Sequence, residues 1–393
     1  MFRSARVDWL SLKASMNITY IIGNGFDLAL GLRTDYPSFI KHYVGEMPRR
    51  VQRGEVRPDS PLLKLCEDMK DNPKTWADAE RAFGRLKFSS MGDKAISVYD
   101  ECYDDFVGSF YDWLTFEDSR FLVGDTMSDS SRNAWIASLI RLDKYMPSGR
   151  KSAYLDYLSG GGDVVLNFIN FNYTGTLEQM LGSENDKKWI VKIPQDRLLH
   201  VKVGSVCHVH GSLKTNDVVF GVDNVSQITD ETVRNYCNMT GGLLKAKVDE
   251  NIRAGYESVA KKILRDSQLI VLYGVSCGET DMSWWQNIYQ RVIGQHAKFV
   301  VCPYSKEHVL AKSAKQKCDI MATAIRNAFR TIVKVEQGAR SWLVFPNPSQ
   351  TVALDTFSTT DENGDVRYCD YFGLGKIGNA VLRNSKGLGD LIG

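Results

Sequence analysis

Two glycines stand between a β-rich stretch and a helical one, in the run Ile22-Gly23-Asn24-Gly25-Phe26-Asp27. Glycine lets the backbone come close to a phosphate, and the free amides at the start of a helix attract an anion. The spacing indicates a nucleotide-binding turn, although Leu28 replaces the third glycine of the dehydrogenase fingerprint. A tight turn that only packs the helix on the strand is the alternative. Asp27 would cap the helix or face a ribose hydroxyl.

A second loop, Asn170-Phe171-Asn172-Tyr173-Thr174, follows another strand-like stretch and precedes a helix. Asn172 or Thr174 would cap that helix. Doubly wound sheets bind ligands at the carboxyl ends of their strands, so the amide of Asn172 is also a candidate ligand contact.

Two histidines, His208 and His210, are two residues apart in a predicted strand, so their side chains should share a face. No carboxylate or cysteine close by in the sequence completes a metal-ligand set, and we expect no metal here. His210 precedes Gly211 and suits a general base, because imidazole titrates near neutrality and glycine leaves room for a substrate. A buried, hydrogen-bonded histidine is the alternative.

A late loop, Gly274-Val275-Ser276-Cys277-Gly278, follows a further strand-like stretch. Its small residues Gly274 and Ser276 would line a ribose or phosphate site, or the loop is only a turn. Asp281 would cap the helix that begins at Met282.

Three of these motifs follow predicted strands and the fourth, His208-Val209-His210-Gly211-Ser212, includes the end of one; we call them the four loops. Several of the strands are apolar on both faces, as in a buried parallel sheet. The predicted strands are residues 18–22, 164–171, 206–210, 218–222, 269–273 and 298–302. Because parallel strands end at one edge, the loops should converge there. Apolar residues at helical spacing predict a large helical insertion at 36–158, and more helices at 254–266, 282–293 and 306–329. These patterns predict an α/β fold with a Rossmann-like, three-layer, doubly wound parallel sheet.

The predicted organisation is a leader at 1–15, an α/β domain at 16–330 and a small C-terminal segment at 331–393. Strand-like stretches at 332–336, 341–345 and 366–372 are separated by turn signals, which indicate hairpins. The glycine-rich end from 373 onward is expected to be a mobile tail.

The composition limits the class of partner. Lys and Arg total 49 and Asp and Glu 47, giving a net charge of +2, so nothing in the bulk charge favours nucleic acid. The arginines between residues 49 and 57 are expected to form a solvated face. The eight cysteines lack metal or redox spacing and indicate free thiols in a reducing compartment. No apolar run or signal peptide suggests a membrane, so we expect a cytoplasmic protein.

The four loops together resemble the signature of the AbiH family of bacterial phage-abortive-infection proteins. The resemblance lies in the runs IIGNGFDLALGL, NFNYTGTLE, HVHGS and YGVSCGETD and in the spacing of Trp76 and Glu80, and it covers residues 17–290. AbiH proteins in turn resemble Sir2-like enzymes, which bind NAD. The resemblance therefore implies a Sir2-like pocket and an antiphage hydrolase that consumes NAD as its substrate by cleaving the nicotinamide–ribose bond.

Carried onto this sequence, the resemblance implies that Gly23 and Gly25 pass beneath the diphosphate. Asn172 would orient the ribose or a water molecule, and His210 would be the general base. The remaining expected pocket residues contact the nucleotide: Asn24, Phe26, Asp27, Tyr173, Gly274, Ser276 and Asp281. Sir2 proteins carry small residues where this chain has Asn24, Phe26 and Asp27, and the zinc-binding cysteine module of the deacetylases is missing.

Two other classes of function stay open. One is a nucleotide-binding sensor or assembly module without turnover. The other is a nuclease or nucleotide hydrolase that uses Asp27, Asp281 and a divalent ion. A phage-derived trigger, a partner protein of a defence system and a homo-oligomer are further expectations from the resemblance.

Overall fold

The computed structural model describes residues 15–302, apart from 124–126, 147, 183–187, 253–254 and 294–296. Beyond Cys302 it describes residues 313, 316, 351–353, 358–360, 366–368, 374, 377 and 381–382. The expected leader, helix 306–329, strands 332–336 and 341–345, and the C-terminal tail lie almost entirely outside the described residues.

A mostly parallel sheet forms the centre of the α/β fold. Its strands, within the described residues, are β1 (Met16–Ile22), β2 (Val164–Asn170), β3 (Lys188–Ile193), β4 (Arg197–His208), β5 (Leu269–Tyr273), β6 (Lys298–Cys302) and β7 (Thr351–Ala353). The order across the sheet is β3-β4-β2-β1-β5-β6-β7, and only the β3–β4 pair among these is antiparallel. Without β3, the parallel strands have the order 3-2-1-4-5-6 found in doubly wound nucleotide-binding folds.

Helices α1 to α7 separate β1 from β2 in the chain. They are α1 (Gly25–Ala29), α2 (Tyr36–Gln52), α3 (Pro61–Asp71), α4 (Ala79–Arg85), α5 (Ala95–Ser119), α6 (Asp129–Ile140) and α7 (Ser148–Gly160). Several begin at side-chain caps: Asp35 accepts from the Ser38 amide, and Asp78 accepts from the Arg81 amide. The later helices are α8 (Thr176–Leu181), α9 (Glu231–Thr240), α10 (Lys245–Ile252), α11 (Tyr256–Asp266) and α12 (Met282–Ile293).

Helices cover both faces of the sheet. On one face Tyr20 and Phe168 pack with residues of α6, α7 and α8, and on the other Ile21 and Ile169 pack with α11 and α12. This burial explains why β5 is made of apolar and aromatic residues and why every residue of β2 is buried, including its two polar residues Asn167 and Asn170. A third cluster, rich in aromatic rings, joins α2 to α5 and packs around Phe106. The described chain therefore has helix, sheet and helix layers beside a helical subdomain.

The third and fourth sequence-predicted strands differ from the structure. Strand β4 begins at Arg197 and ends at His208, whereas a strand was expected at 206–210. The prediction of a strand at 218–222 was wrong: Phe220 and Val222 pack in the aromatic cluster, and Val222 forms only an isolated bridge with Leu244. These residues are apolar because helices bury them, and they are not part of a sheet.

Beyond the main sheet, β8 (Ser358–Thr360) and β9 (Val366–Tyr368) pair antiparallel. The turn signal at 361–365 lies between these two strands in the sequence, outside the described residues. None of the described helices is long and apolar enough to cross a bilayer.

Carboxylates neutralise the arginine cluster in and after α2. Arg50 forms an ion pair with Asp105 of α5, and Arg49 lies 2.6 Å from Glu46. Arg53 also pairs with Glu55 at 2.6 Å. Because these arginines already have anionic partners, they do not form an uncompensated basic surface.

Candidate functional site

The loops after β1 and β5 pack directly against each other, at the point where the strand order reverses. The Gly23 amide donates to Tyr273 O (3.0 Å), and the Gly25 amide donates to Gly274 O (2.9 Å). A Cβ on Gly25 would lie 2.5 Å from the Gly274 Cα, and Gly274 has a φ of +67°. Glycine is therefore required for loop contact and for backbone conformation. The Gly23 and Gly25 amides are used within the protein.

Asp27 points into the interior instead of capping a helix. Its carboxylate accepts hydrogen bonds from Thr174 Oγ1 (2.7 Å) and Thr176 Oγ1 (2.6 Å), and its exposure is 1%. Burial raises the pKa of Asp27 to about 6, although the threonine hydrogen bonds oppose the rise. Asp27 thus ties α1 to the loop between β2 and α8.

The neighbouring side chains Asn24 and Phe26 also make internal contacts. Asn24 Oδ1 accepts from the Thr34 hydroxyl. The Phe26 ring packs edge-on against Tyr273, with 6.3 Å between centroids. These contacts hold the first loop against the protein.

His208 binds the loop that carries Asn172. Its Nδ1 lies 2.7 Å from Asn172 O, and its Nε2 lies 2.6 Å from Glu178 Oε1. Both neighbours are acceptors, so the doubly protonated imidazolium satisfies both contacts. Burial lowers the pKa of His208, but the hydrogen bond and charge of Glu178 outweigh it and raise the pKa above its ordinary value.

His210 belongs to a different network. Its Nε2 lies 2.9 Å from Asp281 Oδ1, without the alignment of a hydrogen bond. The imidazole is buried between the rings of Phe171 and Tyr173, whose centroids lie 5.2 and 6.3 Å from its own. The histidines were expected to share a face, but β4 ends at His208, so strand alternation does not extend to His210.

Asp281 also binds a buried lysine. Lys245 Nζ lies 2.8 Å from Asp281 Oδ1 and 2.8 Å from Glu80 Oε2. Burial raises the pKa of Asp281, but the charges of Lys245 and His210 outweigh it and hold the pKa well below its usual value. Asp281 was expected to cap α12; its described side-chain contacts are with Lys245 and His210.

A cavity of about 590 Å³ opens beside this network. His210, Lys245, Asp281 and Trp284 form part of its wall. Its other described acidic residues are Asp223, Asp249, Glu257 and Glu279. Carboxylates outnumber cationic groups in the described wall, so the cavity favours a neutral or positively charged group over an anion.

The structure brings together some of the predicted site residues. His210 and Asp281 share the cavity wall, whereas Gly23, Asn24, Gly25, Phe26, Asp27, Asn172, Tyr173, Gly274 and Ser276 are not among its described lining residues. The Tyr173 hydroxyl donates to Val219 O (3.2 Å). Asn172 is buried, and its Nδ2 has no hydrogen-bond partner among the described residues.

Sequence reasoning missed Lys245. It follows an apolar pair, Leu243-Leu244, and precedes another lysine, Lys247, so nothing local distinguishes it from a surface lysine. Glu80 had a signal only in its spacing from Trp76. The described part of the chain has no group of three or more His, Cys, Asp or Glu side chains placed to hold a metal ion.

The comparisons with known proteins identify the family. No curated protein matches the chain. The family model for bacteriophage abortive infection AbiH matches residues 19–302, which is well over half of the sequence and includes His210, Lys245 and Asp281. The chain therefore belongs to the AbiH family, whose description points to defence by abortive infection.

Proposed function

We propose that this AbiH protein is an NAD-consuming hydrolase with a Sir2-like pocket, and that His210 is its general base. The observation that carries the proposal is the buried contact between His210 and Asp281 at a cavity wall. A carboxylate beside an imidazole orients the ring and stabilises the cation that forms when the ring accepts a proton.

The sheet supports a nucleotide as substrate. In sheets of order 3-2-1-4-5-6, ligands bind outside the carboxyl ends of the strands where the order reverses. In this chain the reversal lies between β1 and β5, and Asp281 follows β5. The Gly23 and Gly25 amides already donate to carbonyl oxygens of the protein, so they would not donate hydrogen bonds to a diphosphate. The two glycines would instead let the backbone pass close to it.

The acidic cavity suits cleavage of an N-glycosidic bond. The pyridinium ring of NAD is positively charged, and positive charge builds on the ribose as the bond from C1′ to the ring nitrogen breaks. Carboxylates fixed at the wall would stabilise that charge. His210 would take a proton from a water molecule while the water oxygen bonds to C1′ of the ribose. Nicotinamide would leave with the electron pair of the broken bond between C1′ and the ring nitrogen. The products are ADP-ribose, nicotinamide and a proton.

Asn172 would be the second group of the site, although it is buried and is not among the described residues that line the cavity. Its Nδ2 is a buried donor without a described partner, and an unmet buried donor costs about 1–3 kcal/mol. A ribose hydroxyl or the attacking water would satisfy it. His208 Nδ1 holds the Asn172 carbonyl at 2.7 Å, which restrains the residue.

The test is nicotinamide release from NAD by the purified protein, measured by chromatography, with and without lysate from phage-infected cells. We expect His210→Asn and Asn172→Ala to lower the rate by about 10²–10⁴-fold. His200→Asn is the matched control, because His200 is exposed on β4 and should leave the rate unchanged.

Infection assays separate NAD consumption from the other functions. In cells that express the protein, phage infection should lower NAD and raise nicotinamide, and His210→Asn should abolish both changes. Protection that depends on His210 while NAD stays constant would contradict the proposal. Thermal stabilisation by NAD without product would instead indicate a nucleotide sensor.

A further inference from the structure

Lys245 is held by three acceptors at the start of α10. Its Nζ lies 2.8 Å from Glu80 Oε2, 2.8 Å from Asp281 Oδ1 and 3.2 Å from Thr280 O. An ammonium group has three N–H donors, so these contacts satisfy all of them. The Lys245 head group therefore has one strongly preferred position.

Lys245 and Glu80 are both buried, so each charged group needs the other as its partner. The side chains of Lys245 and Glu80 are 9% and 7% exposed. Removing one partner of a buried ion pair leaves an uncompensated charge and is strongly destabilising, so the ammonium and both carboxylates depend on one another. Burial raises the pKa of Glu80, and the charge of Lys245 opposes that rise.

One carboxylate oxygen links this lysine to the imidazole. Asp281 Oδ1 is the atom that contacts both Lys245 Nζ and His210 Nε2. Asp281 ends a three-residue 3-10 turn, Glu279–Asp281, and its side chain is 16% exposed. The bond from Lys245 fixes the point at which the carboxylate meets the imidazole.

We propose that Lys245 is a positioning residue of this site: by holding Asp281 Oδ1 between itself and His210, it sets the orientation of the His210 imidazole. The inference rests on the proposed function, in which His210 is the base. Lys245 acts through Asp281 and does not itself contact reacting atoms. Glu80 fixes Lys245 from the side of the helical subdomain.

A purely structural role is the competing explanation. Lys245 would then only neutralise Glu80 and join α10 to α4. The double variant Glu80→Gln/Lys245→Met separates the roles, because it removes the buried Glu80 charge together with its cation and leaves a charge only on Asp281, which is 16% exposed at the cavity wall. If Lys245 only compensates the charge of Glu80, the double variant should regain activity. If Lys245 positions Asp281, the double variant should stay slow.

We expect Lys245→Met to lower kcat for nicotinamide release by about 100-fold, because a small misplacement of a catalytic group has an effect of that order. KM should change less than about twofold, and the double variant should stay as slow as Lys245→Met. Lys247→Met is the matched control: its Nζ binds Asn238 O at an exposed position on the same helix. Activity within about threefold of wild type in the folded double variant overturns the proposal.

Two further measurements do not need NAD turnover. In a crystal structure of the double variant, Asp281 Oδ1 should have left His210 Nε2, and an unchanged contact near 2.9 Å overturns the positioning role. Phage plating should show lost protection for the double variant and full protection for Lys247→Met. If the wild type releases no nicotinamide, the proposed function fails, while the crystal structure and plating still test Lys245. If Lys245→Met does not fold, the double variant carries the test.

Discussion

Replacing Asp27 with asparagine should stabilise the protein at neutral pH. Asp27 is buried, it accepts hydrogen bonds from two threonine hydroxyls, and it forms no described ion pair. Burial without a cation disfavours its charged form. Asparagine has almost the same shape and carries no charge, and the threonine hydroxyls can rotate to meet its amide group.

The size of the effect follows from the pKa of Asp27, which burial raises from 3.8 to about 6. A difference of roughly two pKa units corresponds to about 3 kcal/mol. The pKa of Asp27 is higher in the folded protein than in the unfolded chain. Its protonated form therefore contributes to the free energy of unfolding fully below pH 3.8, and this contribution is lost as the pH rises through 6. Asp27→Asn should therefore gain about 3 kcal/mol at pH 7.5 and only about 1 kcal/mol at pH 4.5.

Denaturant unfolding of both proteins at the two pH values measures this gain. Asp230→Asn is the control with the opposite sign, because the Asp230 carboxylate accepts from the amides of Phe88, Ser89 and Val233. Burial opposes these hydrogen bonds, but together they lower the pKa of Asp230. Asp230→Asn should destabilise the protein by a similar amount at pH 7.5 and at pH 4.5, because both lie above the ordinary carboxyl pKa of 3.8 and the contribution of a lowered pKa is lost only below it. A destabilised Asp27→Asn, or a gain that does not shrink at low pH, would refute the reasoning.

Three more predictions concern two glycines and the buried cysteines. Gly25→Ala should destabilise the protein by about 1–3 kcal/mol, because its Cβ would lie 2.5 Å from the Gly274 Cα; an unchanged melting curve would contradict the loop contact. Gly45→Ala, inside α2 with open space around it, should stabilise by about 0.5–1 kcal/mol in the same measurement. Thiol labelling with Ellman's reagent should be slow for the buried cysteines until denaturant is added, and rapid modification of the native protein at any of them would contradict their burial. These cysteines are Cys66, Cys102, Cys207, Cys237, Cys277 and Cys302.

Local sequence signals predict much of the sheet and fewer of the contacts at the site. Strands β1, β2, β5 and β6 lie close to their predicted positions, because a strand buried on both faces is an apolar run bounded by turns. The β3–β4 hairpin was missed because β3 includes two lysines and its exposed positions also include the apolar Ile190, which hides the alternation of polar and apolar residues. Its turn uses positive φ values at Gln195 and Asp196, without a glycine to mark them.

The sequence also predicts the residues of the site better than it predicts the contacts between them. The residue types at His210 and Asp281 could be selected from the sequence, because one lies at the end of a predicted strand and the other just before a predicted helix. Their contact could not be predicted, since it depends on how the loops fold above the sheet. Lys245 is 165 residues from Glu80, and no local pattern records a pairing over that distance. The glycines of the first loop correctly predicted a tight turn. A glycine shows that something approaches the backbone closely, but it does not show whether the neighbour is a ligand or, as here, another loop of the protein.

The network of Glu80, Lys245, Asp281 and His210 has a consequence for the order of events during synthesis. Its members come from α4, α10, the turn before α12 and the segment after β4, so the contacts close late along the chain. A chain still growing on the ribosome leaves Lys245 and His210 without their aspartate until residue 281 has emerged. Contacts between such distant residues also form slowly. The complete network therefore arises only after translation has passed the whole helical subdomain and β5, so a truncated chain that stops earlier has no assembled network.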